Sequence, residues 1–209
     1  MSEIRGYLVD NEQGVKVMEQ KSSLKLTIAT TRFGNVIAEP SDVFNFPEGI
    51  LGFSDLRRFI LLDDPNDEIF TWLQSCESSS IAFPVLDPEL FVDNLKLNLT
   101  KADLEALKLL PGSSPRHLSI ITIPEDPTQM TANLKAPIIF NVEQRIARQC
   151  VLQDNSLAIR EPIFMKLQER VVRHPDQMIK SQNLIPEVTV RVEESEDFLG
   201  TPTNSEVGV

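Results

Sequence analysis

The feature that most constrains this chain is a series of short apolar runs, at 43–46, 59–62, 69–73, 81–86, 95–99, 117–123, 137–142 and 146–152. Each is about four to seven residues, the length of a strand and too short for most helices. Turn-forming residues separate them: Pro47-Glu48-Gly49, the Asp-Asp-Pro-Asn-Asp stretch at 63–67, Asp87-Pro88, and Pro124-Glu125-Asp126-Pro127. Ahead of them Leu24, Leu26 and Ile28 alternate with Lys25 and Thr27, and Phe33-Gly34-Asn35 reads as a turn. A helix is expected after Thr100, which can cap it, with Asp103 in its first turn and Leu104, Leu107 and Leu110 on one face until Pro111-Gly112 stops it. The expected fold is mainly β, with antiparallel sheets curled into a small barrel-like or sandwich domain and one or two short helices.

Three segments follow from this pattern. Residues 1–23 are a polar N-terminal extension, 24–162 hold the β domain, and 163–209 form a C-terminal extension. In that extension Ile163, Phe164, Leu167 and Val171 have helical spacing behind Pro162, which suits a first helical position, and Pro175 interrupts the run. Residues 192–209 contain five acids and no Lys or Arg, so this end is expected to be disordered or to order only on binding.

Charge and chemistry narrow the function. A formal charge of -11 argues against a basic nucleic-acid groove and suits either solubility or a partner with a basic face. The first ten residues lack the apolar run of a signal peptide, and no stretch approaches the roughly 20 apolar residues that span a bilayer. Cys76 and Cys150 form no CxxC pair and read as buried thiols of a reduced cytoplasm. His117 and His174 lack metal-ligand spacing, and the sequence holds no HExxH, phosphate-binding glycine loop or GxSxG elbow. No cofactor or metal is expected. Asp87, Asp126 and Asp154 sit at predicted strand ends, where Asp near Pro forms turns; a carboxylate-pair enzyme would need a deep pocket with paired acids. The composition therefore points to a cytoplasmic binding protein rather than an enzyme.

Several stretches resemble, in order, the FliW family of flagellar assembly factors. They are FPEGILGF at 46–53, Phe59 with Leu61-Leu62-Asp63, WLQS at 72–75, AFPVLDP at 82–88, Phe91, TIPEDP at 122–127, MTANLKAPIIFN at 130–141, and Gln149 with Val151-Leu152. The resemblance covers roughly residues 26–162. It departs from the family in about 23 residues added in front, about 47 added behind, and in 154–158, which lack an expected tyrosine.

That resemblance implies a protein, monomeric when free, that binds flagellin and CsrA, a dimeric regulator that represses translation by gripping messenger RNA. Bound CsrA would release the flagellin message by a noncompetitive route, and accumulating flagellin would capture the antagonist in turn. The alternative is a flagellin chaperone without a regulatory branch. Candidate contacts are the acidic loop residues Asp63, Asp64, Asp67, Glu68, Asp87, Glu89 and Asp93, with Phe91 as an aromatic anchor. Met130 suits an adaptable contact or core filling, as does Leu134; Asn133 suits a contact or a turn. In FPEGILGF, Pro47 and Gly49 make a tight turn, with Phe46, Leu51 and Phe53 expected to pack beneath it.

Overall fold

The computed structural model describes residues 24–67, 69–93, 95–110, 112–113, 115–173, 185 and 188–192. Its strands are β1 (Leu26–Thr30), β2 (Gly34–Ala38), β3 (Phe44–Asn45), β4 (Arg58–Asp63), β5 (Thr71–Ser75), β6 (Ala82–Leu86), β7 (Arg116–Thr122), β8 (Thr131–Ala132), β9 (Ile138–Asn141), β10 (Ile146–Gln149), β11 (Glu161–Pro162) and β12 (Thr189–Arg191). Two α-helices accompany them, α1 (Lys101–Ala106) and α2 (Phe164–Arg173). The extensions at 1–23 and 193–209, Glu68, Pro111 and His174 lie outside the described residues.

Successive side chains of a strand point to opposite faces, so the unbroken run Phe59 to Leu62 in β4 requires cover on both sides. All four side chains are fully buried. Phe59 and Leu61 join an inner cluster with Phe44, Phe46, Leu73, Val85, Leu118 and Phe140. Ile60 and Leu62 join an outer cluster with Ile28, Val36, Trp72, Leu86, Phe91, Met130 and Ile163. The inner cluster fills a ring of seven strands in the order β7-β6-β5-β4-β3-β10-β9, closed where β9 pairs back to β7. The ring is antiparallel except at β3 and β10, where Asn45 lies opposite Ile146 in parallel. Mainly β and barrel-like, the architecture follows the expectation from the apolar runs.

The outer cluster is the space between the ring and what covers it. The β1–β2 hairpin has no strand pairing with the ring and adheres through Ile28, Val36, Ala38 and Phe33, whose ring meets Trp72 edge-on at 6.0 Å. Strand β8 pairs with the end of β7, and β11 with β8. Helix α2 packs on the short turns at Pro127–Gln129 and Pro88–Leu90, burying Ile163 and Leu167. Of its other predicted apolar positions, Phe164 is half-buried and Val171 is 48% exposed, and Pro162 lies in β11 opposite Thr131 rather than at the helix start. Pro tolerates an edge strand because a missing N–H there costs no ladder bond.

Two further expectations require correction. The run at 95–99 is not a strand; Leu97 and Leu99 pack with Leu107, Ile139 and Cys150 in a third cluster. Helix α1 begins as expected, with the Thr100 hydroxyl accepting from the Asp103 N–H at 3.1 Å and Asp103 accepting from the Thr100 N–H at 3.0 Å. It ends at Ala106, four residues short of Leu110, and Lys108 then turns to a φ of 52°. Only Leu107 is then buried, while Leu104 and Leu110 face solvent. Burial would raise the Asp103 carboxyl, but its bonds to Thr100 and the charge of Arg148 hold it below the usual range.

In FPEGILGF, Leu51 is 60% exposed and Ile50 takes the buried place beside Phe46. Phe53 meets Phe83 edge-on at 5.3 Å. Gly49 has a φ of 70°, and a Cβ there would lie 2.5 Å from the Phe53 carbonyl oxygen and 2.8 Å from the Ser54 Cα. Both contacts are backbone, so the turn has no slack. Gly34 has a similar φ of 66° but open space around it. Gly34→Ala should therefore cost about 1 kcal/mol, the left-handed penalty alone, and Gly49→Ala roughly 3 kcal/mol or more. Urea denaturation of the two variants checks this; equal losses would refute the clash.

Candidate partner-binding surface

Antiparallel order carries the ends of β4 and β6 to the same end of the ring: Asp63 lies opposite Thr71, and Thr71 opposite Val85. The acidic turn after β4 and the Asp87–Asp93 segment after β6 both leave from there. Met130 and Asn133 flank the other end of β7, where Ala132 lies opposite Ile121, whereas Asp87 pairs with Arg116 at the start of β7. The candidate residues thus fall into two regions rather than one patch.

Three of the acids in the first region, Asp64, Asp67 and Asp87, brace their own turns. Asp64 accepts from the Asn66 N–H at 2.9 Å. Asp67 accepts from the N–H groups of Ile69 and Phe70, each at 2.9 Å, and from Trp72 Nε1 at 3.1 Å. Trp72 is the only tryptophan of the sequence, and the guanidinium of Arg32 lies 3.8 Å from its ring centroid. Asp87 is buried, accepts from the Glu89 N–H at 2.9 Å and pairs with Arg116 at 3.7 Å. Asp63 is half-buried. Glu89 and Asp93 are the exposed members.

Two candidates are core residues. Phe91 is 6% exposed and Met130 6% exposed, both in the outer cluster, so neither offers a free face to a partner. An apolar side chain within a polar stretch gave no sign of its direction, because these turns fold back on the ring. Leu134 is buried too. Asn133 acts as a turn former, its Oδ1 accepting from the Ala136 N–H at 3.0 Å. Asp126 and Asp154 likewise accept from Thr128 and Ser156, whose hydroxyl and amide bonds hold both carboxyls below the usual range.

The pattern of residues alone did not expose the contribution of α2. A cleft of about 440 Å³ lies between the 89–93 segment and α2, lined by Glu89, Leu90, Phe91, Val92 and Asp93 on one side and Lys166, Glu169, Arg170 and Arg173 on the other. Lys166 pairs with Glu161 at 2.6 Å and Arg173 with Glu169. The cleft is open and of mixed charge, unlike the enclosed, apolar pockets that hold small ligands.

Little here supports catalysis. Burial pushes the thiols of Cys76 and Cys150 up to about 11 and about 12, so both stay protonated at neutral pH. Burial also lowers the His117 imidazole below its ordinary value, against the opposing charges of Asp87 and Glu89. Among the described residues no group of three or more His, Cys, Asp and Glu could hold a metal, and no helix is long and apolar enough to cross a membrane.

The structure is a small closed barrel with exposed acids at one end of its ring. The chain belongs to the FliW family: the model of the family described as "FliW protein" matches residues 27–163. It is 64% identical over 158 residues to a flagellar assembly factor FliW of Bdellovibrio bacteriovorus, covering 76% of this chain and 90% of the relative. A flagellar assembly factor FliW of Ruminiclostridium cellulolyticum is 34% identical over 148 residues, 70% of this chain and 100% of that protein. A crystal structure of the flagellar assembly factor FliW superposes with a TM-score of 0.61 at 28% identity, covering 66% of this chain and 96% of that one. The family is one of assembly factors, not enzymes.

Asp67→Ala should destabilise the fold by about 2 kcal/mol, since it strands three donors, whereas Glu89→Ala and Asp93→Ala should stay within about 0.5 kcal/mol. Chemical denaturation followed by Trp72 fluorescence separates the two groups. A second expectation concerns acid. With its folded value lowered, His117 contributes stability that is full above its ordinary value of 6.5 and is lost as pH falls through the folded value. Melting temperatures at pH 7.5 and 5.5 should fall less for His117→Gln than for the wild type; equal falls would remove His117 from the acid response.

Proposed function

We propose that the chain binds flagellin and CsrA in the cytoplasm, is monomeric when free, and antagonises CsrA repression of the flagellin message by noncompetitive partner switching. Membership of a family of flagellar assembly factors supports the setting. The observation that carries the reading is the placement of Glu89 and Asp93. Both are exposed at the end of the ring where the turn after β4 also emerges, in a chain of net charge -11. Such a surface docks on a basic face by complementary charge. Once docked beside an RNA-binding face, it opposes approaching phosphates without covering that face.

Asp64, Asp67 and Asp87 are committed to turns, so the exposed Glu89 and Asp93 are the residues to reverse. Glu89→Lys with Asp93→Lys should weaken binding to purified CsrA by about tenfold or more at low salt, and by less at high salt. Calorimetric titration into CsrA, followed by addition of flagellin, tests the whole scheme. Binding that flagellin reverses supports the switch. Flagellin binding with no affinity for CsrA would leave a chaperone, and unchanged affinity in the double reversal would exonerate this surface.

A further inference from the structure

The sheet order leaves part of one edge of β4 unpaired by the ring. Along β4, residues 58 and 59 pair with β3 on one side, but Leu61, Leu62 and Asp63 lie beyond the reach of that short strand. An unpaired edge leaves N–H and C=O groups open to another chain. Here β12 covers it, running parallel with Thr189 opposite Leu61, Val190 opposite Leu62 and Arg191 opposite Asp63. The Val192 N–H donates to the Asp63 carbonyl at 2.9 Å.

The segment that supplies this strand is anchored by side chains as well as backbone. Ile185 is 2% exposed and Val188 1% exposed, and both lie in the inner cluster with Phe44, Phe59 and Leu61. The segment's own bonds tie the two anchors together. The Ile185 carbonyl accepts from the Val188 N–H at 3.0 Å and from the Thr189 N–H at 3.0 Å and hydroxyl at 2.9 Å. The spacing of the two anchors is therefore set locally, as in a short preorganised ligand.

The family match stops at residue 163, well before this segment. The Ruminiclostridium cellulolyticum relative is matched along its whole length by only 148 residues of this chain. Residues 185–192 therefore lie outside the part of the chain that the family model matches.

We propose that the edge of β4 at Leu61–Asp63 is a strand-acceptor site for an extended polypeptide segment, occupied in this chain by its own exchangeable tail. The site takes a segment with two aliphatic anchors separated by two residues, the second followed by a hydroxyl residue and then by residues of high strand propensity. A partner presenting such a terminal segment would displace residues 185–192 and add a parallel strand, taking its affinity from backbone bonds and its selectivity from the anchors. Arg191 stands opposite Asp63, the first residue of the acidic turn. Displacing the tail therefore also removes a cation from beside that turn.

The test uses the full-length protein carrying Ile185→Asp and Val188→Asp, and a fluorescent peptide of the wild-type sequence 183–193. By fluorescence anisotropy the variant should bind the peptide at least tenfold more tightly than the wild type, whose own tail competes. A peptide with the same two substitutions should not bind. A folded variant that ignores the wild-type peptide, or that binds no better than wild type, would overturn the proposal. Should the variant fail to fold, hydrogen exchange on the wild-type protein decides. Amides of 188–192 that open faster than those of β4 and β5 support an exchangeable tail, and amides that open only with global unfolding make the tail an integral strand and end the idea.

Discussion

Burial of β4 on both faces is the constraint from which the rest of this molecule follows. Phe59 and Leu61 need a barrel interior, and Ile60 and Leu62 need an outer layer. One strand therefore fixes two cores. The ring supplies the first; the β1–β2 hairpin, the turns around Leu90 and Met130, and α2 supply the second. Removal of any of these covers would expose side chains that the opposite face cannot rearrange to protect, because strand geometry allows no rotation of alternate residues. The hairpin shows how far this requirement reaches. It shares no ladder with the ring and is held by apolar contact and by the packing of Phe33 and Arg32 around Trp72.

The strands of the ring were legible in the sequence because each carries its own apolar run. Three short strands outside the ring were not: β8, β11 and β12 exist through their partners, and pairing between distant segments leaves no local periodicity. The run at 95–99 shows the converse failure, since alternate leucines serve equally well to plug the outside of a barrel. The helix after Thr100 was visible through its cap, but its end was not, because no residue of the stretch before Pro111 marks the positive φ that Lys108 adopts. In the glycine-rich turn, the apolar residues were clear while the choice between Ile50 and Leu51 depended on which side of the turn met the ring.

The candidate surface divides along similar lines. An aspartate beside proline or asparagine can brace a turn or meet a partner, and the sequence is the same in both cases. Bond by bond, Asp64, Asp67 and Asp87 prove to be braces, which concentrates the question on Glu89 and Asp93. Family membership supplies the biological setting, and the proposed recognition rests on exposed charge at one end of the ring. The cleft beside α2 adds basic groups to that neighbourhood from a part of the chain outside the family match.

The parallel contact between β3 and β10 joins Asn45 to Ile146, residues about a hundred positions apart. A chain emerging from the ribosome can lay down β3 to β7 as an open curved sheet, but it cannot close the ring until β9 and β10 have been made. Until then the rims of the sheet and the phenylalanines destined for the interior stay accessible to neighbours. Closure is a late, long-range event, and such events are slow. A factor that serves an assembly line has its own vulnerable interval at birth, ended only when the last quarter of its barrel is translated.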